Sequence, residues 1–412
     1  MAMTTNPERP ARLAVEGGQA VRQTPFGFWP VHEQDEISAA MAVLESGRVN
    51  YWTGNECTAF EREFAGFIGC DHAISLANGT VALELGLRAL GIGAGDEVVV
   101  PSRTFIASAS CAVAVGARPV VADVDPESGN LNAGTVREVL SPRTRAIVAV
   151  HLAGWPCDMD SILALARERG IAVVEDCAQA HGAVYKGRVV GSFGDCAAFS
   201  FCQDKIMSTG GEGGMLVMRD AALWERAWSY KDHGKSYDAV FNRQHPPGFR
   251  WLHDSFGSNY RMTEMQAAIG RVQLRKLPAW LARRRSNADR LTQAFETVPG
   301  LRTAMPAQGL DHACYKLYVY LVPERLRSGW DQRRIVEAIA AEGVPCFSGS
   351  CSEIYLENAF IKSGFCTGAR LPVASDLGET SLMFLVHPTL CEADMDDTIA
   401  AVRKVMSAAA LP

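Results

Sequence analysis

From His72 to about Val217 the chain alternates short apolar runs with helical patterns, and this alternation constrains the fold more than any other feature. Segments 72–77, 96–100, 119–124, 146–150 and 171–175 read as strands, the second closed by Pro101. Segments 197–201 and 214–218 add two more. Between them, 81–90 and 162–169 carry apolar residues three and four apart, the spacing of a helix face. Strands that alternate with helices imply a mostly parallel sheet covered on both faces.

The texture changes after this region. Residues 263–297 form one long helical stretch, interrupted near Pro278, and its run Arg283-Arg284-Arg285 reads as a solvated helix face. Strand-like 317–322, a helix near 334–341, strand-like 382–386 and a final helix from Asp394 then suggest a smaller α+β lobe. A chain of 412 residues is too long for one core. The expected organisation is an N-terminal arm (1–25), a large α/β domain (26–262), and the long helix with a small C-terminal domain (263–412).

Composition narrows the classes. With 48% hydrophobic and 21% charged residues the chain is neither disordered nor a coiled-coil or collagen-like rod. Its net charge of −6, with Lys and Arg dispersed, gives no nucleic-acid or membrane-surface footprint. No apolar run approaches the ~20 residues of a membrane span, and residues 1–22 lack the apolar core of a secretory signal. The twelve cysteines are scattered, and Cys111, Cys177, Cys196 and Cys202 read as small core residues. That pattern disfavours a disulfide framework or a zinc site and points to a cytosolic protein.

Four segments carry chemistry. Asn78-Gly79-Thr80 stands where a strand gives way to a helix, and free helix N-terminal amides bind anions, although such a turn also occurs without a ligand. Glu175-Asp176-Cys177-Ala178-Gln179 follows an apolar strand, so Asp176 falls where open sheets bind ligands; it could pair with a protonated ring nitrogen or simply cap a helix. Ser200-Phe201-Cys202-Gln203-Asp204-Lys205 precedes Gly210-Gly211-Glu212-Gly213-Gly214. A lysine there can form a Schiff base once its pKa is lowered, or be an ordinary loop lysine. Gly257-Ser258-Asn259-Tyr260-Arg261 opens the long helix, and Phe105, beyond another strand end, could stack on a planar ligand or belong to the core.

In order and spacing these segments resemble the DegT/DnrJ/EryC1/StrS family of sugar aminotransferases, pyridoxal-phosphate (PLP) enzymes of fold type I, aspartate aminotransferase-like. The resemblance runs from about Pro30 to Arg403 and is most specific over 175–187, 199–214 and 257–271. Gly17-Gly18, Phe28-Trp29-Pro30 and Tyr51-Trp52-Thr53-Gly54 also resemble the family's entry. The resemblance implies that Lys205 holds PLP as a Schiff base and then moves protons, while Asp176 keeps the pyridine nitrogen protonated. It implies that Phe105 stacks on the ring, that Gln179 lies near the phenolic oxygen, and that Gly79, Thr80 and Ser200 hold the phosphate. Asn259 would reach that phosphate from a partner subunit, making the active site the shared property of a homodimer. Relatives with histidine in place of this lysine act as dehydratases, so Lys205 favours transamination.

The implied reaction moves an amino group from glutamate, or glutamine, to a keto-sugar, most naturally a nucleotide-linked keto-deoxysugar for polysaccharide, lipopolysaccharide or other glycoconjugate synthesis. The segment 343–355 departs from the family's His-containing pattern and is closer to the branch of aminohydroxybenzoate synthases and inosose aminotransferases. A cyclitol or aminoshikimate-type acceptor is therefore the second reading. A non-catalytic PLP-binding regulator is a third, which the presence of both Lys205 and Asp176 disfavours.

Overall fold

The computed structural model describes residues 12–366 and 368–411. Residues 1–11 of the expected N-terminal arm lie outside them. Nine strands precede the long helix: β1 (His72–Leu76), β2 (Glu97–Pro101), β3 (Arg118–Ala122), β4 (Thr144–Val150), β5 (Ala172–Asp176), β6 (Val184–Tyr185), β7 (Arg188–Val189), β8 (Cys196–Ser200) and β9 (Gly214–Met218). Five follow its start: β10 (Leu301–Thr303), β11 (Leu310–Asp311), β12 (Leu317–Leu321), β13 (Cys346–Phe347) and β14 (Ser381–Phe384). The seven-stranded central sheet runs β1-β9-β8-β5-β4-β2-β3, and only β9 is antiparallel to its neighbours.

The apolar runs have a direct physical reason. Along β2, Val99 packs on one face of the sheet and Val98 and Val100 on the other; along β4, Ile147 and Ala149 oppose Ala146, Val148 and Val150. Both faces are covered, so alternation between apolar and polar residues never develops. Boundaries move by one to three residues from the sequence reading. Pro101 is the last residue of β2 rather than the stop after it, and Met159 opens the helix expected from Ile162.

Two expectations change more substantially. Helix Glu264–Phe295 runs without a break through Pro278. A proline inside a helix costs roughly 3 kcal/mol; here Leu277 and Leu281 are buried on either side and Pro278 faces solvent, so tertiary packing outweighs that cost. The arginine run is not a solvated face. Arg284 is 1% exposed, and Arg283 and Arg285 are half-buried, with Arg285 donating to the His312 and Gly182 carbonyls.

The second sheet, β10-β12-β14-β13, is antiparallel throughout and packs Leu317, Val319, Leu382 and Phe384 against helices Gln332–Ala341 and Glu392–Ala409. Strand β11, which the sequence did not reveal, crosses back to pair with β6. Cys111, Cys177 and Cys196 are buried as expected, whereas Cys202 is only half-buried. Among the described residues, no helix is long and apolar enough to cross a membrane.

Candidate active site

Strands β1, β2, β4, β5 and β8 run parallel to one another, so the segments after them gather at one edge of the sheet. At this edge Gly214 stands opposite both Leu76 of β1 and Ser200 of β8. A Cβ on Gly214 would lie 2.3 Å from the Asn78 carbonyl oxygen, and one on Gly79 would lie 2.7 Å from Ser200 Cβ. Only glycine permits the two loops to close on each other. Asn78 caps helix Gly79–Ala89 by accepting from Val81 N at 3.0 Å, leaving the amides of the first turn directed outward. Gly79, exposed Thr80 and Ser200 thus form a small cradle at a helix N-terminus.

Asp176 ends β5 and is buried. Its Oδ2 accepts from Ser108 Oγ at 2.7 Å and its Oδ1 from Ala178 N at 3.1 Å. Burial raises its pKa, against the lowering effect of these hydrogen bonds and of His151 and Lys205. Among the described residues it forms no ion pair, and its positive neighbours act on it only without direct contact. Its neighbour Glu175 is fully committed: it accepts from the amides of Gly191, Phe193 and Gly194 and from His151 Nε2 at 3.1 Å. Cys157 N donates to His151 Nδ1, which fixes that tautomer.

Lys205 lies in the loop after β8. Its carbonyl accepts from Trp29 Nε1 at 2.7 Å, and its ammonium pairs with Asp204 at 3.1 Å. The Tyr315 hydroxyl, from just before β12, donates to the same carboxylate. Burial works to raise the Asp204 pKa, but Lys205 and Tyr315 outweigh it and hold the carboxyl below its usual range. His181 is buried against Phe199 and Phe201, and burial pushes its pKa down to about 3, so it stays neutral.

Phe105, Gln179, Asp204, Lys205, Tyr315 and Lys316 line a cleft of about 510 Å³ between the two sheets. Phe105 is 68% exposed, so it is a ring open to a ligand and not a core residue. Gln179 Oε1 accepts from Ala153 N at 2.7 Å, which leaves its amide nitrogen to donate. The structure therefore brings together seven of the eight expected site residues around this edge: Gly79, Thr80, Phe105, Asp176, Gln179, Ser200 and Lys205. Asn259 is not among them. It is exposed, accepts from Arg261 N, and flanks the end of β1, where Tyr260 O accepts from Ala77 N. Sequence reading did not single out Ser108, Asp204, Tyr315 or Lys316. Only Asp204 had a local signal, its adjacency to the lysine.

The residues present fit a pyridoxal-type cofactor. A buried carboxylate without an ion pair suits a protonated ring nitrogen, the open Phe105 ring suits stacking, and the pinched glycine cradle suits a phosphate. Fold and site together define an aminotransferase of fold type I. The chain belongs to the DegT/DnrJ/EryC1/StrS aminotransferase family, whose model matches residues 30–403. It is similar to a solved aminotransferase from Psychrobacter cryohalolentis, with 53% identity and a TM-score of 0.92 over 93% of this chain and 99% of the other. Among curated relatives, the spore coat polysaccharide biosynthesis protein SpsC of Bacillus subtilis is 36% identical over 92% of this chain and 96% of its own. The GDP-perosamine synthase of Caulobacter vibrioides is 38% identical over 86% and 91%.

Proposed function

We propose that this enzyme uses PLP to transfer an amino group from glutamate or glutamine to a nucleotide-linked keto-deoxysugar destined for a polysaccharide or other glycoconjugate. The observation that carries the proposal is the placement of Asp176, buried and without an ion pair among the described residues, at the same carboxyl edge of the sheet as Lys205, which lines the cleft. PLP supplies an aldehyde for the amino group and a ring that accepts electron density. The protein's residues supply the rest. Gly79, Thr80 and Ser200 would hold the cofactor's phosphate, Phe105 would stack on its ring, and the Gln179 amide would donate to its phenolic oxygen. Asp176 holds a proton on the ring nitrogen. Lys205 would hold the cofactor's aldehyde, and its Nζ would take and return the proton of the reacting carbon, while Asp204 stands ready to hold the charged lysine.

Asn259 serves the phosphate of a second subunit in this reading, and the enzyme is a homodimer. Support comes from the segment before it, where Phe249, Trp251 and Phe256 are 79%, 83% and 100% exposed, an apolar surface of the kind that partners cover. The twelve scattered cysteines suit a reducing compartment, and we place the enzyme in the cytoplasm. The acceptor class follows the relatives' printed activities, perosamine and spore coat polysaccharide synthesis.

The test is an acceptor screen. Enzyme converted to its amine-loaded form with glutamate is offered nucleotide-linked keto-sugars and cyclitol ketones, and products are read by mass spectrometry. Amination of a nucleotide-linked sugar is expected. Discharge only by a cyclitol ketone refutes the sugar acceptor, and failure to load with any amino donor refutes transamination.

A further inference from the structure

Strand β12 carries small-domain side chains to the cleft by alternation. Leu317, Val319 and Leu321 turn into the small-domain core, which leaves Lys316, Tyr318 and Tyr320 on the opposite side. Lys316 lines the cleft, half-buried, with its ammonium 5.0 Å from the centroid of the Tyr315 ring. The Lys205 ammonium is 5.3 Å from that same centroid. Both cations therefore flank one aromatic ring, but only Lys205 has a carboxylate, Asp204. Among the described residues Lys316 forms no ion pair and no hydrogen bond through Nζ.

The surroundings make that vacancy of negative charge more pronounced. Arg284, fully buried behind Tyr315, donates to the Cys314 and Tyr315 carbonyls and lies over the Trp29 ring, and among the described residues its Nε and Nη2 have no hydrogen-bond partner. Arg103, on the large-domain side, is bound by the hydroxyls of Ser352 and Ser381 and meets no carboxylate. Cations held away from water without counter-charges are costly to the fold. Of the three, Lys316 alone lines the cleft, where it can take its negative charge from a ligand.

We propose that Lys316 receives the carboxylate of the amino donor, with Arg284 as a fixed positive charge behind it. The carboxylate of an α-amino acid is one bond from the carbon that reacts at Lys205, which matches two ammonium groups placed around one ring. The phosphates of a nucleotide-linked sugar lie across the sugar ring from its reacting carbon and suit a more distant partner. This inference rests on the aminotransferase reading and adds a specificity-determining residue to it.

The groups that face Lys316 are Arg284 from the long helix, Asp204 and Lys205 from the loop after β8, and His387 after β14. Burial first, and then Arg284, bring the Lys316 pKa down to about 8, against the opposing pull of Asp204. His387 is kept neutral, its pKa pushed to about 3 by burial and the same cations. Donor affinity in the wild type should therefore fall as pH rises through about 8.

The experiment compares PLP-loaded wild type, Lys316→Met and Lys316→Arg in the two half-reactions taken separately. Lys316→Met should raise the half-saturating glutamate concentration about tenfold to a hundredfold, the effect of one charge-assisted hydrogen bond. It should abolish the fall in donor affinity near pH 8, while PLP affinity stays unchanged and the melting temperature holds or rises. Lys316→Arg should recover most of the loss. Unchanged glutamate dependence in Lys316→Met overturns the assignment, and so does an effect confined to the keto-acceptor half-reaction, which would point to a phosphate. A wild type inert toward every amino donor instead refutes the aminotransferase reading, and this assignment with it.

Discussion

Replacing Asp176 by Asn separates charge from shape at the heart of the site. The carboxylate is buried between Ser108 Oγ at 2.7 Å and Ala178 N at 3.1 Å. Asparagine can keep the bond from Ala178 through its carbonyl. Ser108 can turn to accept from the new amide, because the Thr104–Ser108 hydroxyl contact of 2.8 Å works in either direction. The fold should tolerate the change. What disappears is a negative charge beside the ring nitrogen. An opposite charge at such range moves a pKa by about 1–3 units, or roughly 1.4–4 kcal/mol. The protonated fraction of the ring, and with it the half-reaction with glutamate, should fall about tenfold to a thousandfold.

Stability should move the other way. Burial holds the folded-state pKa of Asp176 above its unfolded value, so its contribution is fully present at low pH and is lost as pH rises through the folded pKa. Cofactor-free Asp176→Asn lacks that loss and should melt at the same temperature as wild type or higher at neutral pH. Single-turnover absorbance and calorimetry read the two effects. Near-normal half-reaction rates, or a collapse of the melting temperature, would refute the reasoning and leave Asp176 a structural cap.

Three further outcomes follow from the same geometry. Borohydride treatment of the PLP-loaded protein should fix the cofactor to the Lys205 peptide, and Lys205→Ala should bind PLP without turnover; labelling at exposed Lys186 or at buried Lys231 instead would overturn the assignment. Gly79→Ala puts a methyl 2.7 Å from Ser200 Cβ, an overpacking that costs about 1–3 kcal/mol; it should lower both the melting temperature and PLP retention, and retention at the wild-type level would argue against the cradle. Asn259→Ala should weaken PLP binding, and its mixture with Lys205→Ala should regain part of the activity through hybrid dimers once tagged chains show that subunits exchange; complete exchange without recovery would exclude a shared site.

How much of this could be read from the chain depended on distance along it. Asp176, Ser200 and Lys205 were legible because each lies at or just beyond the end of a continuous apolar run, so the run that locates the strand also locates its end. The contact of Trp29 with the Lys205 carbonyl and of Tyr315 with Asp204 span 176 and 111 residues, and no local pattern encodes them. Arg284 is the instructive case, because its signal was present and was overruled. Leu277, Leu281, Arg284, Ala288, Leu291 and Phe295 recur every three or four residues, and all six are buried. Three adjacent arginines read as a solvated face only when charge is counted along the chain. Projected on the helix, the middle one occupies a core position, and an arginine there must be matched by something the core lacks. The structure supplies only two carbonyls and the Trp29 ring, 5.1 Å away. Arg284 is thus a positive charge that the fold holds behind the cleft without neutralising it. In the proposal made above, that arrangement ties this buried helix face to the charge of the amino donor.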